Sequence, residues 1–142
     1  MTTFDRQHTL ASVAVLIGLS GIIVTHVLDL PGKLSETPYL GVLYIGLIIA
    51  AVVLMQRIIT KGDRTTFLAS AALGALVLLG YIVNRTVGMP GATDDIGNWL
   101  EPLGIVAILS EVLVIWQGLS GARRRTAVTT AATPVRESVS VR

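Results

Sequence analysis

Four long apolar runs, a near-confinement of charge to the segments between them, and a Pro-Gly element that recurs 59 residues later predict the fold class. It is an all-α integral membrane four-helix bundle built from two repeated helical hairpins, with both termini cytoplasmic. Of the 142 residues, 52% are hydrophobic and 14% charged, and the mean hydropathy is +0.73. Soluble domains average about 25% charged residues. A soluble bundle also needs polar outer faces on its helices, and these runs have none. With no cysteine, disulfides, thiolate metal sites, cysteine nucleophiles and S-acylation are excluded. The net charge of +2 hides an asymmetry: residues 121–142 carry five arginines against Glu137, so the remainder is net negative.

Residues 1–9 form a short N-terminal segment. The first span, 10–28, has no formally charged side chain and is interrupted only by Ser12, Ser20, Thr25 and His26. Its length exceeds the ~7–15 apolar residues of a cleaved leader, no A-x-A site follows, and Arg6 is offset by Asp5, so it reads as a retained helix. The second and third spans are expected at 39–59 and 66–86, around the uncharged runs 39–56 and 67–84. The fourth, 99–119, begins near Glu101 and holds Glu111 within it. A helix crossing a hydrocarbon core of ~30 Å needs ~20 mostly apolar residues, and each run fits. Glycines in these runs (Gly18, Gly21, Gly41, Gly46, Gly74, Gly80, Gly104, Gly118) suit close helix approach in lipid.

Orientation follows from the short loops. Arg6, Arg57, Lys61, Arg64 and the triplet Arg123–Arg125 fall on one side, Lys33 and Arg85 on the other. Both termini are therefore expected in the cytoplasm, and the chain in the cell membrane. The tail, 121–142, lacks apolar periodicity and is expected to be disordered, its arginine triplet held to anionic headgroups.

The segment 21–32 aligns without gaps on 80–91, with Gly, Ile, Val, Pro and Gly identical. A duplicated hairpin follows, its copies related by an axis along the membrane normal. Each Pro-Gly is expected to end an outward-running helix, since proline cannot continue it and glycine takes the positive φ of a turn. His26 and Arg85 then hold equivalent places.

Among polar residues near the outer helix ends, His26, Tyr81, Asn84, Arg85 and Glu101 form the candidate outer cluster. Arg85 and Glu101 make an ion pair inside the bundle; alternatively Arg85 snorkels to the headgroups and Glu101 caps the helix that opens with Pro102. Glu111 is the other candidate, an intramembrane acid near the bilayer centre. Residues at matched depth (Leu16, Ala51, Gly74, Ala75) cannot pair with it. Such acids mark proton or substrate paths, or subunit contacts; the plain alternative is a protonated carboxyl bonded to a backbone carbonyl.

His8 and His26 are the only histidines. Eighteen residues apart on one helix they lie ~27 Å from each other, so they share no metal or haem. His26 with Met89 or Asp29 makes too sparse a ligand set for a metal site. No nucleophilic triad, phosphate loop or HExxH motif is present, so no cofactor and no enzymatic activity are expected. Nucleic-acid binding has neither fold nor basic face here.

The strings Asn84-Arg85-Thr86-Val87-Gly88-Met89-Pro90-Gly91 and Trp99-Leu100-Glu101-Pro102-Leu103-Gly104, with His26, Glu36, Gly41 and Gln56 before them, resemble a motif set of small four-span membrane proteins common in actinobacteria. The resemblance spans about residues 20–117. It departs at Gly32, where a Glu beside the Pro is expected, and at Lys33, where a second His often stands. What it implies is topology alone. The function expected from the sequence is an accessory or assembly subunit of a larger membrane complex, because four short spans scarcely enclose a pathway. The alternative is proton-linked transport of a small molecule or ion by a homo-oligomer, with Glu111 as the working acid. Either implies the lipid bilayer and a protein partner or second copy as neighbours.

Overall fold

The computed structural model describes the backbone of residues 3–131 and the side chains of residues 9–125. Its order is α1 (Thr3–Glu36), α2 (Pro38–Thr60), α3 (Arg64–Thr86) and α4 (Pro102–Ala131), with no strand among the described residues. All four helices are long and apolar enough to cross a membrane. Their outward surface agrees: Leu10, Ile17, Leu28, Ile49, Ile59, Leu79, Leu109 and Trp116 all lie exposed. Such a surface is a liability in water and ordinary in lipid.

The boundaries depart from the sequence expectation in three places. α4 begins at Pro102 rather than 99, with proline in its first turn, where a missing N–H costs nothing. It also continues to Ala131, so 121–131 is helical and not disordered. The stretch holds no proline before Pro134 and is rich in helix-forming Ala and Arg. The remaining tail, 132–142, lies outside the described residues.

The third departure concerns the two Pro-Gly elements. α3 does end as expected: Val87 and Gly88 N–H groups both bond the Val83 carbonyl, at 2.9 and 3.0 Å, and Gly88 takes φ +81°. α1 instead runs through Pro31 and Gly32 to Glu36. The residue equivalent to Gly88 is Asp29. A side chain makes the left-handed conformation costly, so the first of the two aligned segments lacks the residue that stops the helix. Pro31 alone does not stop it.

The connections are tight at one end. Thr37 is the single residue between α1 and α2, and its carbonyl accepts from Leu40 N–H at 2.9 Å as α2 opens with Pro38. At the other end Gly62 (φ +51°) turns the chain and Asp63 caps α3, accepting from Thr66 N–H at 2.8 Å and from the Thr66 hydroxyl. Those bonds hold the Asp63 carboxyl below its ordinary range.

α4 packs against α1 and α3, and α1 against α2, whereas α2 and α3 meet over only a short stretch. The half of the bundle nearer the termini is filled by Ala11, Val15, Leu19, Ile58, Phe67, Val114 and Ala122. Close backbone approach sharpens this: a Cβ on Gly74 would lie 3.1 Å from the Glu111 carbonyl oxygen and 3.3 Å from Val114. The opposite half is hollow.

Candidate functional site

The hollow half holds a cavity of about 630 Å³ within this single chain, in the size range of small-molecule sites. His26, Tyr81, Asn84, Arg85, Glu101 and Glu111, the six residues singled out from sequence, all line it. So do Asp29, Tyr44 and Asp95, which the sequence places among the polar residues of the outer end but outside the candidate cluster, and Lys33.

The rim is built by the 87–101 connection folding back over the helix ends. Gly97 N–H bonds the Arg85 carbonyl at 2.9 Å, which brings Asp95 over the end of α3. The Asp95 carboxylate accepts from Lys33 Nζ at 3.1 Å, Asn84 Nδ2 at 2.9 Å and Arg85 Nη1 at 2.8 Å. Arg85 reaches Glu101 with its other terminal nitrogen and lies 5.1 Å over the Tyr81 ring. Arg85 is 5% exposed, so it points into the bundle and not to the headgroups; of the two sequence alternatives, the ion pair is the one observed. Burial alone would raise the Asp95 pKa, but the bonds from Asn84 and Lys33 and the nearby cations outweigh it and hold the carboxyl below its ordinary value.

A second polar group lines the α1–α2 wall. His26 Nδ1 donates to the Ile22 carbonyl at 2.8 Å, an arrangement that places the acceptor lone pair on Nε2. Its ring meets Tyr44 edge-on at 4.6 Å, and the Tyr44 hydroxyl donates to Asp29 Oδ2 at 3.1 Å. Asp29 follows His26 by three residues on one helix face, a spacing legible in the sequence; Tyr44, on the next helix, is legible there as an outer-end polar residue but not as their contact.

Glu111 lies at the floor. It is 1% exposed, and its Oε2 has no hydrogen-bond partner among the described residues. Counted from Pro102 it is nine residues, or about 14 Å, into α4, near the middle of a ~30 Å hydrocarbon core. Ser110, its neighbour in sequence, instead donates to the Val106 carbonyl at 2.8 Å. Between floor and rim the walls are apolar, with Leu47 of α2, Leu73 and Val77 of α3, and Ala107 of α4.

Chemically, the cavity combines a rim whose cations are already paired with a deep apolar wall and one carboxyl left without a partner. An uncompensated polar group in such a place is costly, which makes Glu111 the candidate site residue within the bundle. The chain matches no protein-family model, no curated protein and no solved structure.

Proposed function

We propose that this chain is a proton-linked membrane carrier of a small molecule, with Glu111 as the exchanging acid. The single observation behind this reading is the buried, unpartnered carboxyl at the floor of a cavity that one chain builds alone. The accessory-subunit reading favoured by the sequence rested on four short spans being too few to surround a pathway. A cavity of about 630 Å³ weakens that premise, and nothing in its lining calls for a second copy.

In this reading the cavity faces the outside of the cell membrane and both termini lie in the cytoplasm, in line with the arginines and lysines of the short connections. The two halves of the bundle, related as hairpin repeats, would present the cavity to one side at a time. The glycine contacts between α3 and α4, where Gly74 meets Glu111 and Gly118 meets Phe67 and Ala71, let these two helix backbones approach closely.

Purified protein in vesicles holding a pH dye and an imposed membrane potential tests it. Wild type should admit protons faster than Glu111→Gln at equal insertion. Equal rates, together with one defined membrane protein co-purifying in fixed ratio from native membrane, would return the subunit reading.

A further inference from the structure

We propose that the cavity's occupant is a lipophilic cation, an amine or quaternary onium carrying bulky apolar groups, which enters sideways from the bilayer between α2 and α3. This deepens the carrier reading and rests on it. Charge complementarity carries the argument. The two basic side chains of the lining, Lys33 and Arg85, are both ion-paired at the rim. Of the lining's polar atoms left without partners, Glu111 Oε2 and Asn84 Oδ1 are acceptors, the Tyr81 hydroxyl can act either way, and Arg85 Nε belongs to a guanidinium already paired with Asp95 and Glu101. An anionic head would find committed cations above it and a carboxyl below. A cation meets its counter-charge at the floor, and its apolar body meets the apolar wall between. The site spans Leu73 to Arg85 along α3, about 18 Å of helix, ample for a molecule with several ring-sized substituents.

The entry route follows from the glycines. A Cβ added to Gly46 of α2 or to Gly80 of α3 would meet nothing within 4 Å, unlike the packed Gly18, Gly74 and Gly118. Both open glycines line the cavity, beside Val42 and Leu76, which are 64% and 67% exposed. The cavity wall and the lipid-facing surface are therefore continuous there. An apolar molecule dissolved in the bilayer reaches the site without crossing the charged rim.

Loading conserves charge. The cation displaces the proton of the Glu111 carboxyl, which passes to water, and the carboxylate becomes its counter-ion; unloading reverses both. Groups sharing the cavity bear on the titration: His26, Asp29 and Lys33 from α1, and Tyr44 from α2. Tyr81 and Arg85 from α3, Asp95 of the connection and Glu101 complete the set. Lys33, Arg85, Asp95 and Glu101 are engaged with one another at the rim and Tyr44 with Asp29 on the α1–α2 wall, while Tyr81 meets Arg85 and His26 meets Tyr44 through their rings.

The test uses the purified full chain in lipid nanodiscs and two probes of matched shape and opposite charge, tetraphenylphosphonium and tetraphenylborate. Calorimetry should show tetraphenylphosphonium binding with release of one proton, weakening by up to roughly tenfold per pH unit on acidification. Glu111→Gln should bind on the order of tenfold or more weakly and release none. Gly80→Leu and Gly46→Leu should lose binding while keeping the wild-type melting temperature, which separates blockade from misfolding. Equal or tighter binding of tetraphenylborate, or unchanged cation binding by Glu111→Gln, overturns the proposal. If cation binding fails while Glu111→Gln still abolishes proton entry, the ligand class alone falls. If neither depends on Glu111, the carrier reading falls with it.

Discussion

Glu111 and Asp95 are both carboxylates of the cavity, and their surroundings give them opposite behaviour. Asp95 is met by three donors at 2.8–3.1 Å, so Asp95→Asn removes a charge on which Lys33 and Arg85 both depend. The expected cost is about 2 kcal/mol, read as a lower melting temperature in detergent. The sign of its pH dependence is fixed. Its folded pKa lies below the ordinary 3.8, so its stabilising contribution is present above that value and is lost as pH falls through the folded pKa. Wild-type melting temperature should therefore drop at the acid end, and Asp95→Asn should flatten that part of the curve. Glu111 has no comparable donors. Gln keeps the shape and most of the hydrogen-bonding capacity of a protonated acid, so Glu111→Gln should insert and melt like wild type. Glu111→Leu removes a polar group from an apolar setting, and its expression should hold or rise. Substantial unfolding of either variant would show that Glu111 serves the fold.

At the scale of the helix, the aligned Pro-Gly segments show what a sequence can conceal. Both segments read as helix ends, yet only the second carries glycine at the position that must turn left-handed. Gly88 at φ +81° has that freedom; Asp29 does not use it. Gly88→Ala should cost about 1–2 kcal/mol, and its Cβ would also crowd Ile96 at 3.0 Å. Proline inside a helix is unfavourable by ~3 kcal/mol in general, so Pro31→Ala should leave α1 intact and raise the melting temperature. A fall would mean that Pro31 helps to set the course of the last turns of α1 that bring Lys33 to Asp95. The glycines divide in the same way. Composition marks them all as packing residues, but only neighbours in space distinguish Gly74, whose Cβ would lie 3.1–3.3 Å from three atoms of α4, from Gly80, which has open space beside it. Gly74→Val should cost about 1–3 kcal/mol, whereas Gly80→Leu should melt at or above the wild-type temperature. Spans were legible because charge exclusion over ~20 residues is a strong signal. The cluster was legible only in part: Arg85 and Glu101 announce themselves as rare intramembrane charges, while Asp95 joins them through loop geometry set by three positive-φ glycines.

Across the whole molecule, one half is packed with Phe67, Leu19, Val15 and Val114 and the other is hollow with paired charges at its rim. The packed half adjoins both termini and the α2–α3 turn, so the side of the membrane on which the termini lie decides which side the cavity faces. The chain's own charges bear on this. Arg57, Lys61 and Arg64 flank the turn at the packed end, and Arg123, Arg124 and Arg125 follow on α4, whereas Lys33 and Arg85 at the hollow end are neutralised by Asp95 and Glu101. Arginines and lysines close to the ends of spanning helices resist translocation, and six of them gather at the packed end against two at the hollow end. The expected topology therefore has a reporter inserted at Gly62 and another after Arg125 reading cytoplasm, and one at Ala92 reading the outside. Replacing Arg57, Lys61 and Arg64 together by Gln should produce a mixed population at Gly62, because the arginines of α4 still favour the cytoplasm for the same end. A cytoplasmic signal at Ala92 in the wild-type chain would invert the molecule, turn the cavity inward, and make any cation carried by Glu111 load from the cytoplasmic leaflet instead of the outer one.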